Sequence, residues 1–158
     1  MIPLELQEAL KERMGKEFKD LLLKNVKNEE VPINIFTQHL PAKDKNNKNN
    51  TDPYPCIIVR LSDGEQADNN ESGNTSIQFI VGVVDRENTF QGYRDAITVA
   101  NRIIENVKRN SLVEERYELE MPITWAYHDE DSEPYFFAGV QTNWSTPKHI
   151  REDVEDMI

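Results

Sequence analysis

The sequence lacks most of the residues that build covalently or metal-stabilised folds. Cys56 is the single cysteine among 158 residues, so no disulfide can form within the chain, and one thiol does not favour a zinc site. No apolar run approaches the ~20 residues needed to cross a bilayer. The first residues also lack the basic start and apolar middle of a signal peptide. These absences predict a soluble intracellular protein with no membrane partner.

Basic residues are also scarce. Acids outnumber them 29 to 18, which gives a formal net charge of −11. Affinity for phosphates comes mainly from clustered Lys and Arg, so this balance excludes a broadly basic nucleic-acid-binding surface. Residues 111–158 carry twelve acids and three bases, and thus nearly all of the net charge. That charge either serves solubility or forms a negative surface that repels DNA or meets a basic partner.

The motifs of nucleotide binding and nucleophilic catalysis are missing as well. The six glycines are scattered and form no phosphate-binding loop or dinucleotide fingerprint. Cys56 begins an apolar stretch, where a free thiol is usually a small core residue. No Ser, Cys or Thr is marked as one member of a catalytic triad. We therefore expect neither enzyme activity nor a cofactor.

One acidic turn is the strongest candidate for chemistry. His128, Asp129, Asp131 and Glu133 could together hold a divalent cation and activate a water molecule. The turn lacks the fixed glycine and the distal glutamate of a calcium-binding loop. An acidic run between two strands is more typical of a solvated connection. The prediction is therefore that no metal binds, with these four residues as the alternative.

The apolar pattern predicts one domain that spans residues 1–158. Apolar residues recur at three- and four-residue steps over about 3–27 and again between Asp85 and Asn110, which indicates two amphipathic helices. Asn88 and Gln91 have the spacing of a capping box for the second helix. Asp85–Glu87 just before it is interpreted as a cap rather than an acid–base group. Five strands are expected at 31–36, 56–61, 76–84, 117–125 and 135–144.

The remaining stretches are polar. We expect flexible loops at about 41–53 and 62–74 and a polar C-terminal tail at about 148–158. The expected order is α-β-β-β-α-β-β. Each helix has one apolar stripe, so the fold class is α+β, with a single largely antiparallel or mixed sheet of four to five strands and both helices on one face. The last two strands form a hairpin, and Pro122 marks a bulge or an edge.

Several stretches carry a resemblance to a known family. They are the N-terminal helix, Asp-Pro-Tyr-Pro-Cys-Ile-Ile-Val at 52–59, Ile-Gln-Phe-Ile-Val-Gly-Val at 77–83 before the second helix, and Gln-Thr-Asn-Trp-Ser-Thr-Pro at 141–147. In this layout the chain resembles the tail terminator, or tail completion, proteins of long-tailed bacteriophages. That family includes the minor tail protein U of lambda-like phages.

The resemblance implies a structural virion protein of a phage or prophage. Such a protein forms a homohexameric ring on the last ring of the major tail tube protein, ends polymerisation and presents a surface to the head–tail connector. It would lie in the tail or neck of the virion, and in the host cytoplasm during assembly. An acidic lumen would let DNA pass without specific binding. The candidate interface residues are Tyr54, Asp63, Glu65, Asp68 and Trp144, of which Tyr54 and Trp144 fit a core position equally well.

Three other interpretations stay open. The chain could be another head–tail joining protein of the phage neck. It could be a metal-dependent hydrolase that uses His128, Asp129 and Asp131. It could also be an acidic inhibitor that mimics DNA and occupies a basic groove on a nuclease or repressor.

Overall fold

A computed structural model describes residues 3–42, 52–65, 73–87, 91–128 and 133–146. Two helices and eight strands lie in these ranges. In chain order they are α1 (Leu4–Glu17), β1 (Leu22–Lys24), β2 (Glu30–Pro32), β3 (Asn34–Thr37), β4 (Cys56–Glu65), β5 (Asn74–Val84), α2 (Gln91–Arg109), β6 (Leu112–Val113), β7 (Tyr117–Tyr127) and β8 (Tyr135–Ser145).

The main sheet has six strands in the order β3-β4-β5-β8-β7-β6. Only β3 and β4 run parallel; the other neighbours are antiparallel. The α+β class, the largely antiparallel sheet and the β7–β8 hairpin are confirmed. The predicted four to five strands and the predicted element order are wrong, because β1 and β2 form a separate two-stranded sheet and β3 and β6 join the main one. These strands have two to four residues, too few to show a period.

The N-terminal helix is shorter than predicted. It ends at Glu17 rather than near Lys27, and the apolar residues that follow belong to the β1–β2 hairpin. The side chain of Asn25 accepts hydrogen bonds from the backbone N–H groups of Lys27 and Glu29, both at 3.0 Å. Asn28 adopts a positive φ of 63°, which asparagine tolerates better than most residues. This turn reverses the chain where a helical pattern alone would continue it.

The predicted strand at 31–36 is two strands. Pro32 ends β2 in the small sheet, while Asn34 begins β3 in the main sheet. Ile33 lies between them with its side chain buried against the core. Pro32 thus occupies the end of a short strand in a two-stranded sheet, a position where a missing backbone donor is tolerated.

Both helices pack against the same face of the main sheet, as predicted. Ile57 pairs with Val81 and Val59 pairs with Phe79, so these side chains share one face. The same buried cluster contains side chains from both helices. Its largest fully buried members are Trp144, Tyr117, Phe18, Phe79, Leu6, Leu10, Met14, Ile57, Ile77 and Ile103. One core therefore lies between the helices and the sheet, and β5 is central between β4 and β8, as predicted.

The start of α2 is capped by an aspartate. One carboxylate oxygen of Asp85 accepts a hydrogen bond from the backbone N–H of Gly92 at 2.9 Å, and the other accepts one from Glu87 at 3.0 Å. The capping interpretation of Asp85 is confirmed, since it satisfies a donor that the first helical turn leaves unpaired. Asn88, the first residue of the predicted capping box, lies outside the described residues.

The edge strand β7 contains the predicted irregularity at Pro122. The pairing between β7 and β8 shifts between Glu120 and Thr124. On the other side, β6 pairs only with Tyr117 and Glu118. From Leu119 onwards β7 is therefore the outermost strand of the described sheet, and the bulge and edge interpretations of Pro122 are both confirmed.

Candidate functional site

The predicted metal-binding turn is only partly within the described residues. His128 follows β7, and its backbone N–H donates to the carbonyl of Phe137 at 3.0 Å. Its ring meets the Phe137 ring edge-on, with centroids 6.0 Å apart. Glu133 precedes β8, while Asp129 and Asp131 lie outside the described ranges. Across the residues that the structure describes, no three His, Cys, Asp or Glu side chains are grouped to hold a metal ion.

Tyr54 packs on the sheet face opposite to the helices. Its ring lies so close to Gly82 that a Cβ atom there would stand 2.7 Å from Tyr54 Cε1. The ring also contacts Tyr135 and Phe137, with centroid distances of 4.8 and 6.0 Å. Burial is the main cause that raises the pKa of the Tyr54 phenol. Tyr54 therefore covers part of the sheet and is only partly available for a partner.

Trp144, the second aromatic candidate, lies in the core. Its side chain is 0% exposed, and its indole N–H donates to Thr142 Oγ1 at 2.9 Å. The Thr142 hydroxyl in turn donates to the carbonyl of Ile77 at 2.8 Å. This chain of hydrogen bonds satisfies both buried polar side chains. The core alternative for Trp144 is thus confirmed, and the ring has no surface to offer to a tail tube or a neighbouring subunit.

The acidic candidates stand at one end of the sheet. Asp63 and Glu65 are exposed residues of β4, not of a loop, because β4 runs to Glu65 and β5 begins at Asn74. The predicted loop at 62–74 is therefore too long. Both carboxylates line a shallow depression of about 400 Å³ together with Thr146. Asp68 lies outside the described residues. Asp63 and Glu65 remain accessible to a partner.

Cys56 has the properties of a core thiol. It is 2% exposed, and burial raises the pKa of its thiol to about 12. A cysteine with this pKa carries almost no thiolate at neutral pH, and the thiolate is the nucleophilic form. The prediction of a small core residue is confirmed.

Cys56 should therefore resist thiol reagents until the protein unfolds. At pH 8 we expect its reaction with dithiobis-nitrobenzoate to be at least about 100-fold slower in the native protein than in 6 M guanidinium, since both burial and the raised pKa suppress attack. Absorbance at 412 nm follows the reaction. Glutathione under the native buffer is the internal control for reagent activity. Equal rates in the native and denatured protein would contradict the buried position.

The sequence did not predict an exposed apolar groove beside the edge strand. We call it the α2–β7 groove: about 350 Å³ between α2 and the edge strand. It is lined by Ile97, Thr98, Ala100, Asn101, Arg102, Ile104, Trp125, Tyr127 and Ala138. Trp125 pairs with Val140 across the sheet and so stands on the helix-bearing face, yet it is 64% exposed. Tyr127 meets Tyr93 of α2 edge-on, with ring centroids 6.4 Å apart.

The groove exists because α2 covers the middle of the sheet and leaves its edge bare. Gly92 brings the start of α2 against Phe136 of β8, and Ala96, Val99 and Ile103 face the core. The neighbouring stripe of α2 then faces β7, and no further layer covers it among the described residues. Apolar side chains occupy the odd positions of 117–125, which places Trp125 on the same face as Tyr117 and Leu119. What this alternation does not indicate is how far α2 extends over that face.

The chain matches no protein-family model and no curated protein. In the part of the chain that the structure describes, neither helix is long and apolar enough to span a membrane.

Proposed function

We propose that the chain is a structural protein of a long-tailed phage that closes the end of the tail tube as a ring of identical subunits. Its assembly would end tube polymerisation and present a surface for head attachment. The motifs at 52–59, 77–83 and 141–147 support this proposal through their resemblance to tail terminator proteins. The partners are then copies of the same chain, the major tail tube protein and the head–tail connector.

The observation that carries the proposal is that the main sheet has two unlike edges. One edge is the four-residue strand β3, parallel to its neighbour, and the other is β7 beyond its short pairing with β6. A contact that joins unlike patches is heterologous, and heterologous contacts close into rings when the rotation between copies allows it. Exposed strand edges are also ready templates for pairing with another chain. A subunit with two different edges is thus suited to head-to-tail assembly.

The charge supports a ring through which DNA passes. The net charge of −11 opposes phosphate binding. Asp63 and Glu65 add exposed carboxylates at one end of the sheet. If this end lined the lumen, the wall would repel the DNA backbone instead of holding it. The same acids could meet a basic surface of the tube or connector at the outer rim.

The proposal is tested by capping of tail tubes. A major tail tube protein from the same phage or prophage is polymerised with and without the purified chain, and the products are viewed by negative-stain and cryo-electron microscopy. We expect shorter tubes whose ends carry one added hexameric ring, because a bound ring occupies the site of the next tube ring. A monomer in solution alone is compatible with assembly on the tube. A monomer that also leaves tube length and tube ends unchanged would overturn the proposal.

A matched pair of variants links the result to the sheet edge. Thr37→Pro removes a backbone donor of β3 that points away from β4, because the alternating N–H groups of Asn34 and Gln38 donate to the β4 side. Thr37→Val keeps this donor and changes only the side chain. If β3 joins the copies, T37P should abolish capping while circular dichroism shows a native fold, and T37V should retain it. Location of the chain at the connector rather than the tube end in a virion map would favour the neck-protein alternative.

A further inference from the structure

The α2–β7 groove has an apolar floor that the described chain leaves open to water. Trp125 is 64% exposed and Ile97 is 39% exposed, and Ile104, two helical turns after Ile97, also lines the groove. An amphipathic helix laid into such a groove is a common mode of peptide recognition. Contiguous exposed apolar surface of this kind marks an interaction site. The groove is therefore shaped for a short helical segment with one apolar face.

The charges on α2 are mostly basic, unlike those of the chain as a whole. Helix α2 carries four basic and two acidic residues in a chain of net charge −11. Arg94 and Lys108 stand at the two ends of the stripe that borders the groove and have no carboxylate partner among the described residues. The two acidic side chains of α2 accept hydrogen bonds from amide side chains of the same helix: Asp95 from Gln91 and Glu105 from Asn101. An occupant with acidic flanks fits these ends.

The sequence of this chain contains a matching segment at 147–158. Ile150, Val154, Met157 and Ile158 follow one another at steps of four, three and one, which places them on one face of a helix. The other faces of such a helix would carry four acidic and two basic residues. An apolar stripe with acidic flanks is the complement of an apolar groove with basic ends. No other stretch outside the described residues has apolar residues at this spacing.

The length of the segment suits the distance to the groove. The described chain stops at Thr146, whose backbone N–H donates to the carbonyl of Gly73 at 2.8 Å. Val140, opposite Trp125, lies six residues earlier on β8, about 20 Å away at the usual strand rise. Three extended residues followed by nine helical residues cover about 23 Å. Since α2 starts beside Phe136 and runs along β8, the Ile104 end of the groove is the end nearer to Thr146.

We propose that residues 147–158 dock as an amphipathic helix in the α2–β7 groove, with Ile150 and Val154 against Trp125 and Ile97. Docking shields the apolar floor and brings the acids of the segment to Arg94 and Lys108. The inference stands on the groove and the segment, and it does not depend on ring assembly. It applies whether the segment folds back on its own subunit or enters the groove of a neighbouring copy.

Hydrogen exchange on the full-length chain tests the docking. We expect the backbone amides of 150–158 to exchange at least 10-fold more slowly than in a free peptide of the same sequence, because a docked helix protects its N–H groups. Val154→Asp should remove this protection, and Val154→Leu should keep it. Ile97→Asp in the groove should release the same segment, whereas Met121→Asp, on the same strand as Trp125 but outside the groove lining, should not.

Tryptophan quenching reports the groove side of the same contact. Trp144 is fully buried, so quenching by acrylamide reports mainly on Trp125. We expect the quenching constant to rise at least 2-fold in V154D and to stay at the wild-type value in V154L. Free-peptide exchange rates at 150–158 in the wild type, with unchanged quenching in V154D, would overturn the proposal. Protection of the groove that depends on protein concentration but not on Val154 would instead assign the groove to another surface of a second copy.

Discussion

Replacing Trp144 with alanine is expected to lower the free energy of unfolding by about 3–5 kcal/mol. The indole is 0% exposed and fills the core between β8 and its neighbours on the helix-bearing face. Alanine removes most of this apolar surface and leaves a cavity that the surrounding strands can fill only in part. It also takes away the donor to Thr142 Oγ1. Urea denaturation followed by circular dichroism measures the change.

Met121→Ala is the control for this substitution. Met121 lies in the bulged part of β7 and is 65% exposed, so its truncation should change stability by less than about 0.5 kcal/mol. Both variants shorten a large apolar side chain within the β7–β8 hairpin. Only the buried one should shift the denaturation midpoint strongly. A Trp144→Ala variant as stable as Met121→Ala would show that the tryptophan is not part of the core.

The long elements were predictable because their periods are strong. Residues 93–107 repeat apolar side chains at helical steps and form α2, and 76–84 alternate along two faces and form the central strand β5. The alternation of side chains between the two faces of β7 is also the same on both sides of its bulge. Between the pairs Glu120–Asn143 and Thr124–Gln141, β7 advances by four residues and β8 by two. β7 therefore contains two extra residues, and an even number leaves the alternation of its faces unchanged. Trp125 therefore lies on the same face as Leu119.

The short elements were not predictable from periodicity. Leu21, Leu22 and Val26 continue a helical pattern as well as they fit the β1–β2 hairpin. What decides between the two is the turn at Asn25 and Asn28, whose hydrogen bonds reverse the chain. The turn formed by the two asparagines therefore determines the structure here, because the apolar spacing continues for only six residues.

The surfaces were the least predictable feature. Trp125 and Trp144 both stand in alternating strands and both face the helices, yet one is exposed and the other buried. The difference depends on which strand lies at the edge of the sheet and how far α2 extends over it. Strand order is a non-local property, so a single sequence with two similar tryptophan patterns does not reveal it. The interface prediction named Trp144 from the family resemblance, and the groove around Trp125 was missed.

The same glycine-to-alanine substitution should have opposite effects in the two helices. Gly92→Ala is expected to destabilise the protein by about 1–3 kcal/mol, since overpacking displaces neighbours in a well-packed region. A Cβ atom at Gly92 would lie 2.3 Å from Phe136 Cδ2 and 2.9 Å from Asp85 Cβ. The Phe136 ring would have to move, and the Asp85 cap would move with it. The two effects act on the same junction between β5 and α2.

Gly15→Ala in α1 is the matched control. Gly15 is exposed, and nothing lies within 4 Å of the position of its Cβ atom. Alanine should stabilise the protein by about 0.5–1 kcal/mol, because glycine loses more backbone entropy on folding into a helix. Thermal and urea unfolding of both variants and the wild type show whether each substitution raises or lowers the free energy of unfolding. Stabilisation by both substitutions would mean that α2 does not approach β8 at Gly92. The contact that positions α2 beside the groove would then be wrong.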